Sequence, residues 1–382
     1  MTESALTAPL VSHLAALEAR GKLRRLIPRQ GRDFASNDYL GLAGDGAIAQ
    51  AVTDAIARGV PVGSGGSRLL RGNAPEHEAL EAKAAAFFGA EAALYMANGF
   101  AANMGLLAAL PGRGDLIVAD ALIHASAHDG IRLSRAAALF AHHNDAQSFE
   151  DIIAGWRREG GTGRVWIVVE TLYSMDGDRA PVDALAQVAA RHGAMLILDE
   201  AHATGVYGPG GRGLTAHLEG RENVVVLHTC GKALGAEGAI VCGPRVVIDT
   251  LVNRARPFIF STAPSPLMAV AVGAALDRVA QDDDLRMRLS ELREEADGAI
   301  CARLGLPSSR SQIIPVTIGE EKRTMRVAAA LQSAGFDVRG IRPPTVPAGT
   351  SRLRISLTLN VGKPDIWALG DALETVLSEE KP

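Results

Sequence analysis

The sequence predicts an α/β fold: a mostly parallel sheet with helices on both faces, followed by a smaller C-terminal α+β domain. Three observations carry this. Between Ala92 and Leu227, short apolar runs alternate with segments of helical periodicity, the rhythm of repeated βαβ units. The run Met195-Leu196-Ile197-Leu198 leads straight into Asp199, Glu200 and His202, so ionisable groups stand at a strand's carboxyl end, where open α/β sheets place ligands. After Cys242 the rhythm breaks into a long helical stretch, and past Pro307 the composition resets.

In chain order, Leu10 to Leu26 reads as an amphipathic helix with Leu10, Leu14 and Leu17 on one face. It ends in the basic pair Arg24-Arg25 before Pro28. A turn-rich segment, Phe34 to Leu42, precedes a helix over Ala47–Arg58 and the glycine-rich loop Val62 to Arg68, whose composition suits close approach to a ligand. Pro75 opens a helix to Phe88. The predicted strands are then Ala92–Met96, Leu116–Ala119, Ala137–Ala141, Val165–Val169, Met195–Leu198 and Asn223–Leu227. Helices over Gly99–Leu110, Ala125–Leu133, Phe149–Arg158 and Pro181–Arg191 separate the first five. A mostly helical stretch runs from Ser265 to about Arg303, interrupted near Asp282-Asp283-Asp284. The final unit carries strands Ile313–Ile318 and Leu353–Leu357 and helices Thr324–Ala334 and Pro364–Leu377. The expected divisions are an N-terminal helix and arm over 1–45, a large cofactor-binding domain over 46–264, and a linking helix with the small C-terminal domain over 265–382.

Composition narrows the function. With 382 residues, 47% hydrophobic and 21% charged, the chain has the balance of a globular enzyme. A net charge of -4 with interspersed signs gives no reason to expect nucleic acid or a membrane as partner. Cys230, Cys242 and Cys301 show neither metal-ligand nor disulfide spacing, which suggests a reducing cytoplasm. The start, MTESALTAPL, has neither a basic leader nor an apolar core, so no export signal is expected.

The residues able to do chemistry cluster at strand ends. Lys232, flanked by Gly, Ala and Leu just beyond the run to Leu227, suits a pocket better than a solvated surface. A carboxylate, an imidazole and a lysine at neighbouring strand ends fit a pyridinium aldehyde: the lysine captures the aldehyde and buried Asp199 keeps the ring nitrogen protonated. Pyridoxal 5'-phosphate is therefore the expected cofactor. His124 begins a helix and offers a ring to stack on it. His124 and His128, four apart, could instead share a metal, but with no glutamate between them and no third ligand evident, no metal is expected. Gly99 and Phe100 lie where a helix start would meet a phosphate, and Thr229 adds a hydroxyl. Ser174 follows a strand and either reaches a cofactor oxygen or forms a turn. Arg352 and Arg354 share one strand face, which suits either carboxylate recognition or a charged edge.

A rival reading takes the run into Asp199-Glu200-Ala201-His202 as the magnesium-binding strand of a DEAH-type ATPase. It requires a phosphate loop, and none of the Gly-Lys pairs is followed by a hydroxyl residue: Leu23 follows Gly21-Lys22, Ala233 follows Gly231-Lys232 and Pro364 follows Gly362-Lys363.

Together, SNDYLGL, VGSGGSRLLRG, NGF, HAS, YSMDGD, DEAHATG, TCGK, FSTAPSP and IRPPTVPAGTSRLRISLT, in this order along nearly the whole chain, resemble the α-oxoamine synthases. These are fold-type I pyridoxal phosphate-dependent transferases. SNDYLGL and IRPPTVPAGT are most similar to the members in biotin biosynthesis that condense L-alanine with a pimeloyl thioester and release carbon dioxide. A glycine-using member, making 2-amino-3-oxobutyrate or 5-aminolevulinate, is the alternative. The resemblance implies that Lys232, His124 and Asp199 are catalytic. It implies that Gly99, Phe100 and Thr229 hold the phosphate, that Ser174 and His202 contact the cofactor, and that Thr262 reaches a neighbouring subunit's phosphate in a homodimer with shared sites. Arg354 would bind the amino acid carboxylate, with Asn37, Arg24 and Thr345 on the substrate side and coenzyme A or an acyl carrier protein bearing the acyl group. The chain departs from the family pattern between Pro28 and Phe34, where it is short and apparently lacks a small strand pair. It departs again at His228 and Cys230, where a glycine and a bulkier residue are expected.

Overall fold

The computed structural model describes residues 6–308 and 310–380. Residues 1–5, on which half of the export-signal reading rests, lie outside it. The N-terminal elements are α1 (Ala8–Ala19), β1 (Arg32–Asp33), α2 (Gly46–Ala57) and α3 (Pro75–Phe88). The alternating region follows as β2 (Ala92–Met96), α4 (Gly99–Ala109), β3 (Leu116–Asp120), α5 (Ala125–Leu133), β4 (Ala137–Ala141) and α6 (Ala146–Arg158). It continues through β5 (Val165–Glu170), α7 (Val182–His192), β6 (Met195–Asp199), β7 (Val224–Thr229) and β8 (Ala239–Gly243). Helices α8 (Arg245–Arg254), α9 (Arg256–Ile259), α10 (Pro266–Gln281) and α11 (Asp283–Ala296) lead to the last unit. That unit contains β9 (Ile313–Gly319), α12 (Glu321–Ser333), β10 (Phe336–Asp337), β11 (Arg339–Ile341), β12 (Ser351–Ser356) and α13 (Lys363–Glu379).

Seven strands form the large sheet in the order β2-β8-β7-β6-β5-β3-β4. All neighbours are parallel except β8, which runs antiparallel to both β2 and β7. Every residue of β3, β5 and β7 is buried, as helices on both faces require, which is why those strands are continuous apolar runs rather than alternating ones. Fully burying a side chain such as Ile197 or Leu198 contributes roughly 1.5–3 kcal/mol. The parallel strands β3, β5, β6 and β7 end in Asp120, Glu170, Asp199 and Thr229. Glu170 pairs in register with Asp199, and Asp199 with Leu227, so polar groups line one sheet edge side by side.

The long helical stretch divides at Asp282, whose carboxylate accepts from Asp284 N at 3.1 Å and caps α11. α10 packs on α2 and α3, whereas α11 packs on α13. The last unit is built on the antiparallel sheet β11-β12-β9, and β1 pairs parallel with β10, which ties the N-terminal arm to it. This β1–β10 pairing sits where the sequence suggests a missing strand pair.

The first helix departs from expectation. α1 stops at Ala19 because Gly21 takes a left-handed conformation (φ 66°), with Lys22 N reaching back to Leu17 O at 2.7 Å. Arg24 therefore lies beyond the helix in irregular chain, and Leu10 and Leu14 are exposed rather than buried. Among the described residues, no helix is long and apolar enough to cross a membrane.

Candidate active site

A cavity of about 250 Å³ opens at the carboxyl edge of the parallel strands. Asn98, Gly99, Phe100, His124, Glu170, Asp199, His202, Thr229 and Lys232 all line it. Strand ends supply Glu170, Asp199 and Thr229, helix starts supply Gly99, Phe100 and His124, and the turn after β7 supplies Lys232.

At the base, Asp199 Oδ2 accepts from Asn103 Nδ2 at 2.7 Å and Oδ1 accepts from Ala201 N at 2.9 Å. The second Asn103 N–H donates to Ser126 Oγ at 3.1 Å, and Ser126 Oγ lies 2.7 Å from His124 Nδ1. His124 Nδ1 accepts from Ser126 N at 3.2 Å, so it carries no proton and takes the Ser126 hydroxyl hydrogen as well. Neutral His124 thus carries its proton on Nε2. Burial holds its pKa below the usual imidazole value, and the Lys232 charge adds to that against the opposing pull of Asp199.

Lys232 is pushed down to about 8, first by loss of hydration, while the charges of Asp199 and Glu170 work the other way. Glu170 is raised to about 8 by burial and then by Asp199; its Oε2 accepts from Ser174 N at 3.2 Å, and its Oε1 has no hydrogen-bond partner. His202 Nδ1 lies 2.6 Å from the Tyr39 hydroxyl, and burial, with Lys232 and Arg354 nearby, holds this imidazole well below its ordinary pKa.

The residues present fit pyridoxal phosphate. At the start of α4, Asn98 satisfies Ala101 N through its side chain at 2.8 Å and Ala102 N through its carbonyl at 3.1 Å. That leaves the Gly99 and Phe100 N–H groups without intrahelical acceptors, beside a positive helix terminus. A Cβ on Gly99 would stand 2.6 Å from Thr229 Cγ2, so only glycine leaves this cradle open. Opposite it, Asp199 suits a pyridinium nitrogen and Lys232 an aldehyde. The Thr229 hydroxyl donates to Ala201 O at 3.2 Å.

Arg354, buried on β12, donates to Ser174 O at 2.5 Å, Ser356 Oγ at 2.7 Å and Asn37 Oδ1 at 3.0 Å. Among the described residues no carboxylate pairs with it, whereas Arg352 on the same strand face pairs with Asp176. Two equivalent-looking arginines are thus different: one charge is compensated and the other is not. Six expected residues lie outside the cavity lining: Ser174 and Asn37, which hold the Arg354 guanidinium, Arg354 itself, and Arg24, Thr345 and Thr262. Arg24 and Thr345 are exposed, and Thr262 is exposed in a shallow hollow with Arg68 and Tyr95.

The sequence reading passed over Asn103, Ser126 and Glu170. Asn103 was marked by being the polar residue in an otherwise apolar helix, and Glu170 by closing the run Val165-Trp166-Ile167-Val168-Val169, as Asp199 closes its own. Glu200, central to the ATPase reading, is wholly buried and accepts from Leu214 N and Thr215 N at 3.1 and 2.7 Å, turned away from the cavity.

The family model for aminotransferases of class I and II matches residues 30–365. The chain is 44% identical to the 8-amino-7-oxononanoate synthase of Anaeromyxobacter dehalogenans, over 97% of this chain and 96% of the relative. It is 43% identical to that of Burkholderia thailandensis, over 97% and 98%. Among solved structures it is similar to the 8-amino-7-oxononanoate synthase of Francisella tularensis (TM-score 0.78, 27% identity, 92% and 98% covered) and to a Sphingomonas wittichii serine palmitoyltransferase (TM-score 0.88, 26% identity, 100% and 99% covered). Relatedness at this level over the full fold, with the site built as described, shows that the chain belongs to the 8-amino-7-oxononanoate synthases, within the class I and II aminotransferase family.

Proposed function

We propose that the protein condenses L-alanine with a pimeloyl thioester, giving 8-amino-7-oxononanoate, carbon dioxide and the free thiol carrier, in biotin biosynthesis. The observation that carries this is the convergence of Lys232, Asp199, His124 and the α4 start on one cavity, in a chain of this family. Pyridoxal phosphate is the cofactor; when bound it supplies the electron sink for a carbanion at the amino acid Cα.

Gly99, Phe100 and Thr229 hold the phosphate, and Asp199 keeps the ring nitrogen protonated. His202 and Ser174 orient the ring from its oxygen-bearing side. Arg354 holds the alanine carboxylate with Asn37 beside it, since its charge lacks an internal partner. Lys232, with its lowered pKa, takes the Cα proton as a free amine and later returns one. Neutral His124 stacks on the ring and offers its Nε2 proton to the acyl carbonyl oxygen as the new carbon–carbon bond forms and the thiol leaves. The carboxylate carbon departs as carbon dioxide. Arg24 and Thr345 line the acyl side, with coenzyme A or an acyl carrier protein as the carrier. A homodimer with shared sites is supported by Thr262, which is exposed and stands outside the lining of its own cavity. Three buried, unpaired cysteines support a cytoplasmic location.

The test is the visible absorption of the purified protein, titrated with L-alanine and separately with glycine. A yellow protein whose band shifts saturably with alanine and poorly with glycine supports the reading. An equal or stronger response to glycine would move the assignment to a glycine-using synthase, and a protein that stays colourless with added cofactor would overturn it.

A further inference from the structure

Behind the sheet edge that carries the cavity, the fold assembles three residues that no sequence spacing connects. Glu219 lies in the turn before β7, His228 on β7 and Cys242 on β8. Their ligating atoms all lie within 4.8 Å of one another. The side chains of Glu219 and His228 are wholly buried and Cys242 is nearly so. β7 and β8 pair antiparallel with Val226 opposite Cys242, which sets Cys242 diagonally beside His228 on one sheet face.

Hydrogen bonding fixes the protonation of His228 at Nδ1. The Thr204 hydroxyl donates its single hydrogen to Glu200 O at 2.9 Å, so at 2.8 Å from His228 Nδ1 it can only accept. Nδ1 therefore carries a proton. Phe88, stacked at 3.5 Å between centroids, holds the ring plane. Nε2 then faces the Glu219 carboxylate at 3.4 Å, and neither Nε2 nor either Glu219 oxygen has a hydrogen-bond partner. A carboxylate and a ring nitrogen facing each other without hydrogen bonds in a dry interior need a positive charge between them, supplied by a proton or by a cation.

We propose that Glu219, His228 and Cys242 bind one divalent cation of the zinc class. A thiolate ligand excludes the hard cations magnesium and calcium, and imidazole with thiolate suits zinc. Binding displaces the Cys242 thiol proton, and a dipositive ion with one thiolate and one carboxylate is neutral, as a buried centre demands. The donation from Nδ1 to Thr204 supplies the outer partner that zinc-bound histidines use to fix their orientation. A Glu219 carboxylate binding through both free oxygens gives four donor atoms. Shifts of about an ångström at the side-chain ends bring the set to the separations that bonds of about 2.0–2.3 Å impose. The centre would pin β7 to β8 next to Thr229, and so the phosphate cradle.

Metal content is measured on the cofactor-loaded wild-type protein, expressed with added zinc and washed with chelator. The expected result is about one zinc per chain, with one sulfur scatterer at the zinc X-ray absorption edge. Glu219→Gln and His228→Gln are expected to lower zinc content at least about tenfold while the cofactor absorbance persists as the check on folding. Wild-type protein with full cofactor absorbance but less than about a tenth of a zinc per chain would overturn the proposal and leave a proton shared by Glu219 and His228. Bound zinc without sulfur scattering would overturn it as well, and neither reading depends on the variants folding.

Discussion

Asn103 Nδ2 donates to Asp199 Oδ2 at 2.7 Å, and the same amide holds Ser126, whose hydroxyl and backbone N–H both meet His124 Nδ1. One residue thus orients both the Asp199 carboxylate and the His124 imidazole, the groups proposed to meet the cofactor ring at its nitrogen and its face. Asn103→Ala removes a hydrogen bond to a charged group, typically about 1.5–3 kcal/mol. We expect cofactor affinity to fall about ten- to a hundredfold, measured by fluorescence titration of the cofactor-free protein. Asn103→Asp should be worse, because it sets a second carboxylate against Asp199. Equal affinity in the wild type and both variants would show that Asp199 needs no such support.

Asn103 also marks the limit of what the sequence discloses. Asp199 and Lys232 were legible because each ends or follows an apolar run, and strand ends in such sheets face ligands. The alternating β and α segments were legible for the same reason, as periodicity reports burial. Asn103 acts across a helix-to-sheet contact 96 residues away in sequence, which no local pattern encodes. The antiparallel course of β8 was equally hidden, since a buried strand has the same apolar run in either direction. α1 was overextended because its leucine spacing outlasts the backbone signal at Gly21.

The phosphate cradle makes a paired prediction. A Cβ on Gly99 would meet Thr229 Cγ2 at 2.6 Å. Gly99→Ala should therefore weaken cofactor binding by at least about tenfold, by the cost of an overpacked contact. Thr229→Ser removes that methyl and keeps the hydroxyl, so adding it to Gly99→Ala should restore most of the affinity. Equilibrium dialysis on the four proteins measures the coupling, and additive losses would refute the contact as the cause.

Lys232 gives a pH prediction with a definite sign. Burial lowers its pKa to about 8, so near pH 7 about a tenth of the cofactor-free chains hold a free amine, against fewer than about one in a thousand for an ordinary lysine. Capture of the cofactor aldehyde should accelerate about tenfold per pH unit up to about 8 and then level off. The folded state binds this proton less readily than the unfolded chain. Stability of the cofactor-free protein therefore rises with pH between about 8 and the unfolded value of 10.5, and the penalty is fully present below 8. Stopped-flow absorbance gives the rate profile. Glu170→Gln, which removes a group that raises the lysine, should move the inflection lower.

Arg354 and Arg352 share a strand face but should fail in different ways. Arg352 is paired with Asp176, so Arg352→Leu leaves a half-buried carboxylate unmatched and should lower the melting temperature. Among the described residues Arg354 donates to neutral acceptors, namely Ser174 O, Ser356 Oγ, Asn37 Oδ1 and the Tyr39 hydroxyl, and its charge remains available to a substrate carboxylate. Arg354→Lys keeps the charge but loses the planar fork, and about 1.5–3 kcal/mol of charge-assisted hydrogen bonding with it. We expect KM for L-alanine to rise at least about tenfold while cofactor absorbance and melting temperature stay near wild type. Steady-state kinetics with thermal melts on both variants checks this. If Arg352→Leu raises KM and Arg354→Lys does not, the assignment of the two arginines is reversed, and the carboxylate of the amino acid lies on the Asp176 side of the strand.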